Sequence, residues 1–265
     1  MSEKKPVTAA TLLRAKQSGE KSVWLTAYDA MSAHIAEAAG VDVLLVGDSL
    51  GMVCLGFDTT LPVTLDQMIH HTAAVVRRRV NAWVVCDLPF GSYQQCPEQA
   101  FETSVRVLQE TGCDAVKLEG GAHMAETIRF LAERGIAVVG HVGLTPQSVK
   151  KFGGYGKRGK SGDERAQLLR DAHAVADAGA VAQVLENIPA DLAREISEAS
   201  VIPTVGIGAG PDCDAQVLVW HDLLGLSDSN PPFAPAYVNL REQIVSAIGC
   251  WTDDVRSGKF PKVEK

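Results

Sequence analysis

Short apolar runs rich in Val, Ile and Leu recur along the chain, with helix-patterned stretches between them. The runs are Val23–Tyr28, Val43–Asp48, Trp83–Asp87, Ala115–Glu119, Ala137–His141, Val181–Glu186, Thr204–Ile207 and, more weakly, Leu223–Leu226. Near-continuous apolar runs of this length suit parallel strands buried on both faces. The intervening segments Thr64–Arg79, Pro97–Thr111, Asp163–Ala178 and Pro189–Ala199 are amphipathic, and Pro97 suits a first helical turn. Gly40, Gly112, Gly135 and Gly179 each follow a helix-like stretch, where a left-handed stop is expected. Eight strands alternating with helices across residues 1–265 predict an α/β fold, a (β/α)8 TIM barrel forming one domain. An open doubly wound sheet is the structural alternative. Lys150–Lys160 (KKFGGYGKRGK) is Gly-rich and basic and reads as a mobile loop after the fifth strand. Asp228–Pro235 reads as an irregular loop, and the chain from Ala236 reads as helix followed by a charged tail.

Composition narrows the setting. With 46% hydrophobic and 22% charged residues, the 265-residue chain is of ordinary globular type. A core of that size needs no disulfide or metal to hold it together. The net charge of -7 argues against a nucleic-acid partner, which would favour a basic surplus. The six cysteines include no C-x-x-C pair, so neither a zinc site nor a thioredoxin-like motif is expected. The polar N-terminus lacks a signal-peptide core, and no apolar run approaches the ~20 residues of a membrane span. A reducing, cytoplasmic setting with no membrane partner is the expectation.

The chemistry lies at the ends of the predicted strands. Asp48 and Ser49 follow strand 2, Asp87 ends strand 3, Lys117 and Glu119 close strand 4, His141 ends strand 5 and Glu186 ends strand 6. In a barrel these ends open onto one face, where active sites are built. Taken singly, each acidic residue has a plainer explanation as a helix N-cap or turn residue. A strand-end His is equally at home as a satisfied structural histidine. Those explanations would have to hold independently at five strands. Several carboxylates sharing one pocket would repel one another and draw in a cation. Hard oxygen ligands favour Mg²⁺. A 2-oxo acid can chelate such an ion, which would act as a Lewis acid on the carbonyl and stabilise an enolate. Lys117 would add positive charge near the substrate carboxylate or the developing enolate.

The motifs then converge on a known family. LTAYDA (Leu25–Ala30), the stretch Leu44–Val75, CDLPFGSY (Cys86–Tyr93), AVKLEGG (Ala115–Gly121), GHVGLTPQSV (Gly140–Val149), FGGY (Phe152–Tyr155), VLENIP (Val184–Pro189) and GIGAG (Gly206–Gly210) stand in a specific order and spacing. Together with Gln216–Gly225 they resemble the ketopantoate (3-methyl-2-oxobutanoate) hydroxymethyltransferase family from about Thr11 to near the C-terminus. The resemblance implies a barrel of the phosphoenolpyruvate/pyruvate type. It also implies a reaction, in which 5,10-methylenetetrahydrofolate, water and 3-methyl-2-oxobutanoate give 2-dehydropantoate and tetrahydrofolate, a step of pantothenate synthesis. By the same resemblance Asp48, Asp87 and Glu119 match metal-binding residues. Asp48, Ser49, Asp87 and Lys117 match residues that hold the 2-oxo acid, Glu186 matches the proton acceptor, and His141 matches a supporting pocket histidine. The family forms homo-oligomers, commonly decamers. Two departures stand out: Ala215 follows Asp214 where the family usually has Gly, and Pro231-Pro232 precede Phe233 where a Lys is common. The rival readings are an isocitrate-lyase-like or phosphonopyruvate-type lyase, for which no K-x-C-G-H-like loop is found, and a non-enzymatic metabolite-binding barrel. GIGAG suits either an anion site or close backbone packing, and the basic loop either the folate glutamate tail or solvent.

Overall fold

A computed structural model describes residues 5–261. The first four residues and the end of the charged tail lie outside them. Eight parallel strands close into a barrel in chain order: β1 (Ser22–Thr26), β2 (Val43–Val46), β3 (Trp83–Asp87), β4 (Ala115–Lys117), β5 (Val138–Gly143), β6 (Ala182–Glu186), β7 (Thr204–Ile207) and β8 (Ala215–Leu218). The barrel, not the open sheet, is the architecture. β8 pairs with both β7 and β1, so the sheet has no edge.

The last strand differs from the sequence reading. Leu223–Leu226 is not a strand; Leu223 ends a short helix, Trp220–Leu223, and the chain then turns. β8 lies eight residues earlier than that reading placed it. Its four residues include the exposed Gln216, and the apolar run Val217–Trp220 leads straight into the next helix. With no polar break between strand and helix, hydropathy alone could not divide them.

The helices begin and end for local reasons. Thr64 caps Leu65–Arg78 through a reciprocal box with Gln67, and Asp29 does the same for Ala30–Ala38 with Ser32. Pro97 opens Pro97–Thr111, and Gly112 closes it at φ 71°. The helices Gly162–Asp177 and Ala190–Ala199 complete the predicted set.

Alternation along the strands sets the inside of the barrel. Trp24 (β1), Val43 and Leu45 (β2), Trp83 and Val85 (β3), Ala115 (β4), Val139 (β5), Ala182 and Val184 (β6), Val205 (β7), and Ala215 and Val217 (β8) form one buried cluster. Leu12, from the N-terminal helix Ala9–Ser18, joins it. Trp24 and Trp83 meet edge to face at 6.2 Å, as core residues. Ala215 is fully buried here, so the methyl that departs from the family's usual Gly fills barrel interior. Beside it, Asp214 accepts from Lys16 Nζ (2.9 Å) and from the backbone N–H (2.8 Å) and hydroxyl (2.9 Å) of Thr204.

Chain contacts divide the molecule after Leu218. The unit from Val219 holds the helix Trp220–Leu223, an irregular stretch over 227–239 that includes Asp228–Pro235, and the helix Leu240–Arg256, capped by Asn239.

Candidate active site

Continuing the inward alternation by one step reaches the chemistry. After Val85 comes Asp87, after Ala115 come Lys117 and then Glu119, after Val139 comes His141, and after Val184 comes Glu186. The apolar interior thus changes to a charged layer at the C-terminal ends of the strands. Asp48 breaks the alternation: it lies one residue beyond the inward position Gly47, on the turn after β2. Its backbone N–H points to Asp87 Oδ2 at 3.4 Å, which ties that turn to the end of β3.

Register accounts for the tightest contact. Asp87 and Lys117 are direct neighbours in the β3–β4 pairing. Lys117 Nζ donates to both carboxylate oxygens of Asp87, at 2.6 and 2.7 Å, with both side chains buried. Burial pushes the Asp87 carboxyl up to about 7; Lys117 opposes this, and the charges of Asp48 and Glu119 add to it. Burial works against the Lys117 charge, but the surrounding carboxylates, led by Asp87, outweigh it and hold the ammonium above its ordinary range.

Glu119 lies two residues past the end of β4, almost fully buried. Its backbone N–H donates to Tyr93 Oη (3.0 Å), and its Oε2 accepts from the backbone N–H of Gln147 (3.0 Å). Burial raises its carboxyl, against the pull of His141 and Lys117. His141 lies between two carboxylates, with Nδ1 3.5 Å from Glu119 Oε1 and Nε2 3.2 Å from Glu186 Oε2. Neither contact is aligned as a hydrogen bond, and both ring nitrogens and Glu119 Oε1 are buried without one. These are therefore close ionic contacts. Burial and Lys117 disfavour a charged imidazole, but the two carboxylates prevail and lift it to about 9. Glu186 ends β6 and is half-buried.

Ser49 begins the short helix Leu50–Val53, and its Oγ lies 2.9 Å from Tyr28 Oη. No side chain caps that helix or Pro97–Thr111, so neither Asp48 nor Asp87 serves as an N-cap there.

The structure therefore brings together Asp48, Asp87, Lys117, Glu119, His141 and Glu186, with Ser49 beside Asp48. Sequence reasoning overlooked Gln147 and Tyr93. Gln147 Nε2 donates to Asp48 Oδ2 (3.0 Å), and Tyr93 Oη donates to Gln147 Oε1 (2.7 Å). Both residues lie inside motifs singled out above, CDLPFGSY and GHVGLTPQSV, but a Gln in a loop carries no visible signal of burial. Tyr155, in the basic stretch, belongs near the same mouth: burial and the charges of Asp48 and Glu186 raise its hydroxyl. That stretch begins as a helical turn, Val149–Phe152, and is then tied to the end of β6. Asn187, at φ 46°, donates from Nδ2 to Tyr155 O (3.1 Å) and accepts from Arg158 N–H (3.0 Å). GIGAG fits close packing, since a side chain at Gly210 would come within 2.4 Å of Ala190 Cβ.

The donor set suits a hard cation. It offers carboxylate oxygens, and Glu119 Oε1 is buried with no hydrogen bond of its own. Among the described residues, no three His, Cys, Asp or Glu side chains already stand at metal-ligand spacing, and Asp87 spends both oxygens on Lys117. That arrangement fits an ion that keeps several waters and takes one or two carboxylates, as Mg²⁺ does.

The profile of the ketopantoate hydroxymethyltransferase family matches residues 6–263. The chain belongs to this family. A 3-methyl-2-oxobutanoate hydroxymethyltransferase of Trichodesmium erythraeum is 54% identical over 257 residues, covering 97% of this chain and 98% of that protein. The one from Moorella thermoacetica is 51% identical over 265 residues, covering 100% and 98%. The chain is accordingly a transferase. Solved structures match the barrel: phosphonopyruvate hydrolase in complex with oxalate and Mg²⁺ at TM-score 0.62 and 14% identity, covering 97% of this chain and 90% of that one. A 2,3-dimethylmalate lyase of the PEP mutase/isocitrate lyase superfamily matches at 0.59 and 19%, covering 98% and 91%. At such identities these likenesses speak for the fold alone, a TIM barrel. Among the described residues no helix is long and apolar enough to cross a membrane.

Proposed function

We propose that this chain transfers a hydroxymethyl group from 5,10-methylenetetrahydrofolate to C3 of 3-methyl-2-oxobutanoate, giving 2-dehydropantoate and tetrahydrofolate. The observation that carries the reading is Glu186, half-buried at the rim of the charged layer, with its Oε2 3.2 Å from His141 Nε2. A carboxylate in that position can take a proton from a carbon held over the pocket. His141, charged between Glu119 and Glu186, steadies Glu186 as it gains and loses that proton.

Asp48, Asp87 and Glu119 would hold Mg²⁺, with Asp87 acting through water or by sharing its Lys117 contact. When bound, the ion would supply Lewis acidity at the 2-oxo group, which makes the adjacent C3–H acidic. Asp48, Ser49, Asp87 and Lys117 would hold the 2-oxo acid. Lys117 sets a fixed positive charge where negative charge develops as the proton leaves. Glu186 removes the C3 proton; C3 then bonds to the one-carbon unit of the folate as one of its two C–N bonds breaks. Water admitted afterwards supplies the hydroxyl to that carbon as the second C–N bond breaks, the C3 proton and a water proton ending on the two folate nitrogens. The stretch from Lys150 to Lys160, tied to Asn187, restrains water while the carbanion waits, and its basic side chains face the folate glutamate tail. The family relationship extends the proposal to a cytoplasmic homo-oligomer, checked by light scattering.

The direct test is to incubate the protein with 3-methyl-2-oxobutanoate, 5,10-methylenetetrahydrofolate and Mg²⁺ and to follow 2-dehydropantoate by mass spectrometry. Product that needs all three supports the reading. No product, or cleavage of a 2-oxo acid instead, overturns it.

A further inference from the structure

We infer that Gln147 is a positioning residue that fixes which oxygen of Asp48 and which oxygen of Glu119 faces the cation. The inference rests on the proposed Mg²⁺ site and deepens it. Gln147 lies in the turn Pro146–Ser148 after β5 and is 4% exposed. Its amide uses every hydrogen-bonding position it has. Nε2 donates to Asp48 Oδ2 (3.0 Å) and to Leu88 O (2.9 Å), and Oε1 accepts from Tyr93 Oη (2.7 Å) and Gln94 Nε2 (3.0 Å). Its backbone N–H donates to Glu119 Oε2 (3.0 Å).

The amide has only one workable orientation. Leu88 O and the Asp48 carboxylate can only accept, so a flipped amide would set oxygen against oxygen at both. Tyr93 Oη already accepts from the Glu119 N–H, which leaves its own proton for Gln147 Oε1. One residue from the β5 turn thus binds the turns after β2, β3 and β4 into a single frame.

The consequence is selective. Gln147 occupies Oδ2 of Asp48 and Oε2 of Glu119. That leaves Oδ1 of Asp48 and Oε1 of Glu119 outside this frame; Glu119 Oε1 is buried with no hydrogen bond, 3.5 Å from His141 Nδ1. Each carboxylate then presents one oxygen, the arrangement that suits a small octahedral ion holding waters and a bidentate substrate. A neutral donor is needed at this place. The amide satisfies Asp48 Oδ2 without adding a further charge to the layer, whereas an anionic group there would face Asp48. Groups that orient metal ligands in this way affect metal affinity by ~10–100-fold.

The test measures metal binding rather than turnover. Mn²⁺, as a stand-in for Mg²⁺, is titrated into the full-length protein without substrate, and free Mn²⁺ is read by electron paramagnetic resonance. Thermal unfolding of the metal-free protein is followed alongside. Gln147→Met keeps the length and removes the amide, and it is expected to weaken Mn²⁺ binding ~10–100-fold. Tyr93→Phe keeps the ring and removes one anchor of Gln147, and it is expected to weaken binding in the same direction by a smaller factor. It also serves as the reading if Gln147→Met does not fold. Wild-type affinity in folded Gln147→Met, or in Tyr93→Phe where only that variant folds, overturns the positioning role and leaves the metal site standing. A wild-type protein that binds no Mn²⁺ overturns both.

Discussion

Lys117 and Asp87 form a buried ion pair in the pocket. Both side chains are buried, the contacts are 2.6 and 2.7 Å, and further carboxylates stand close by. Removing the ammonium leaves a buried carboxylate without its partner. Lys117→Met should therefore lower stability by about 3–5 kcal/mol, read from urea unfolding of the metal-free protein. An unchanged midpoint would mean that Asp87 is already protonated without its partner. The placement of Asp87, Lys117 and Glu186 in the charged layer was legible in the sequence because each ends a buried strand on the inward alternation, which His141 shares two residues before β5 ends. Asp48 was legible only from its place after an apolar run, since a turn moves it off that alternation. Gln147 and Tyr93 were not legible as site residues. Their importance comes from which turns they join, and a single chain read in order does not display that.

At the scale of elements, β5 and β6 approach each other where the chemistry is. Gly143, at φ 100°, ends β5 beside Glu186, and a Cβ there would fall 2.3 Å from Glu186 O. Gly143→Ala should cost about 1–3 kcal/mol and reduce turnover by displacing Glu186. Denaturant unfolding and initial rates check both parts, and wild-type values for each would show that the backbone yields easily. The opposite change is expected at β8: Ala215→Gly empties barrel interior and should destabilise by about 1 kcal/mol without altering the site. Most element positions followed from hydrophobic period and capping chemistry, with Pro97 and Gly112 bounding their helix as expected. β8 did not, because Val217–Trp220 is continuously apolar across a strand end and a helix start.

For the whole molecule the charged layer predicts how stability responds to pH and metal. His141 is raised to about 9 from an ordinary 6.5, so its favourable contribution is complete below 6.5 and lost as pH rises through 9. Asp87 is raised to about 7 from 3.8, so the cost of its buried charge grows from 3.8 and is complete above 7. Both make this site's contribution to the metal-free fold fall as pH rises between those limits. A cation held at the proposed site would replace the lost protons. Mg²⁺ should raise Tm more at pH 8 than at pH 5.5; at pH 8, a concentration one hundred times its Kd there should stabilise by about 2.7 kcal/mol. Calorimetry at the two pH values checks this, and a larger gain at pH 5.5 would contradict it.

The proposed function turns on one step, removal by Glu186 of the C3 proton of a 2-oxo acid held beside Mg²⁺. It is tested most directly by proton NMR of 3-methyl-2-oxobutanoate with the protein and Mg²⁺ in D₂O, without folate. The C3–H signal should be lost only when protein and Mg²⁺ are both present. In Glu186→Gln the exchange should slow by about 10²–10⁴-fold while substrate still binds. A C3–H signal that persists with folate and without it, or one lost at the wild-type rate in Glu186→Gln, would contradict the account.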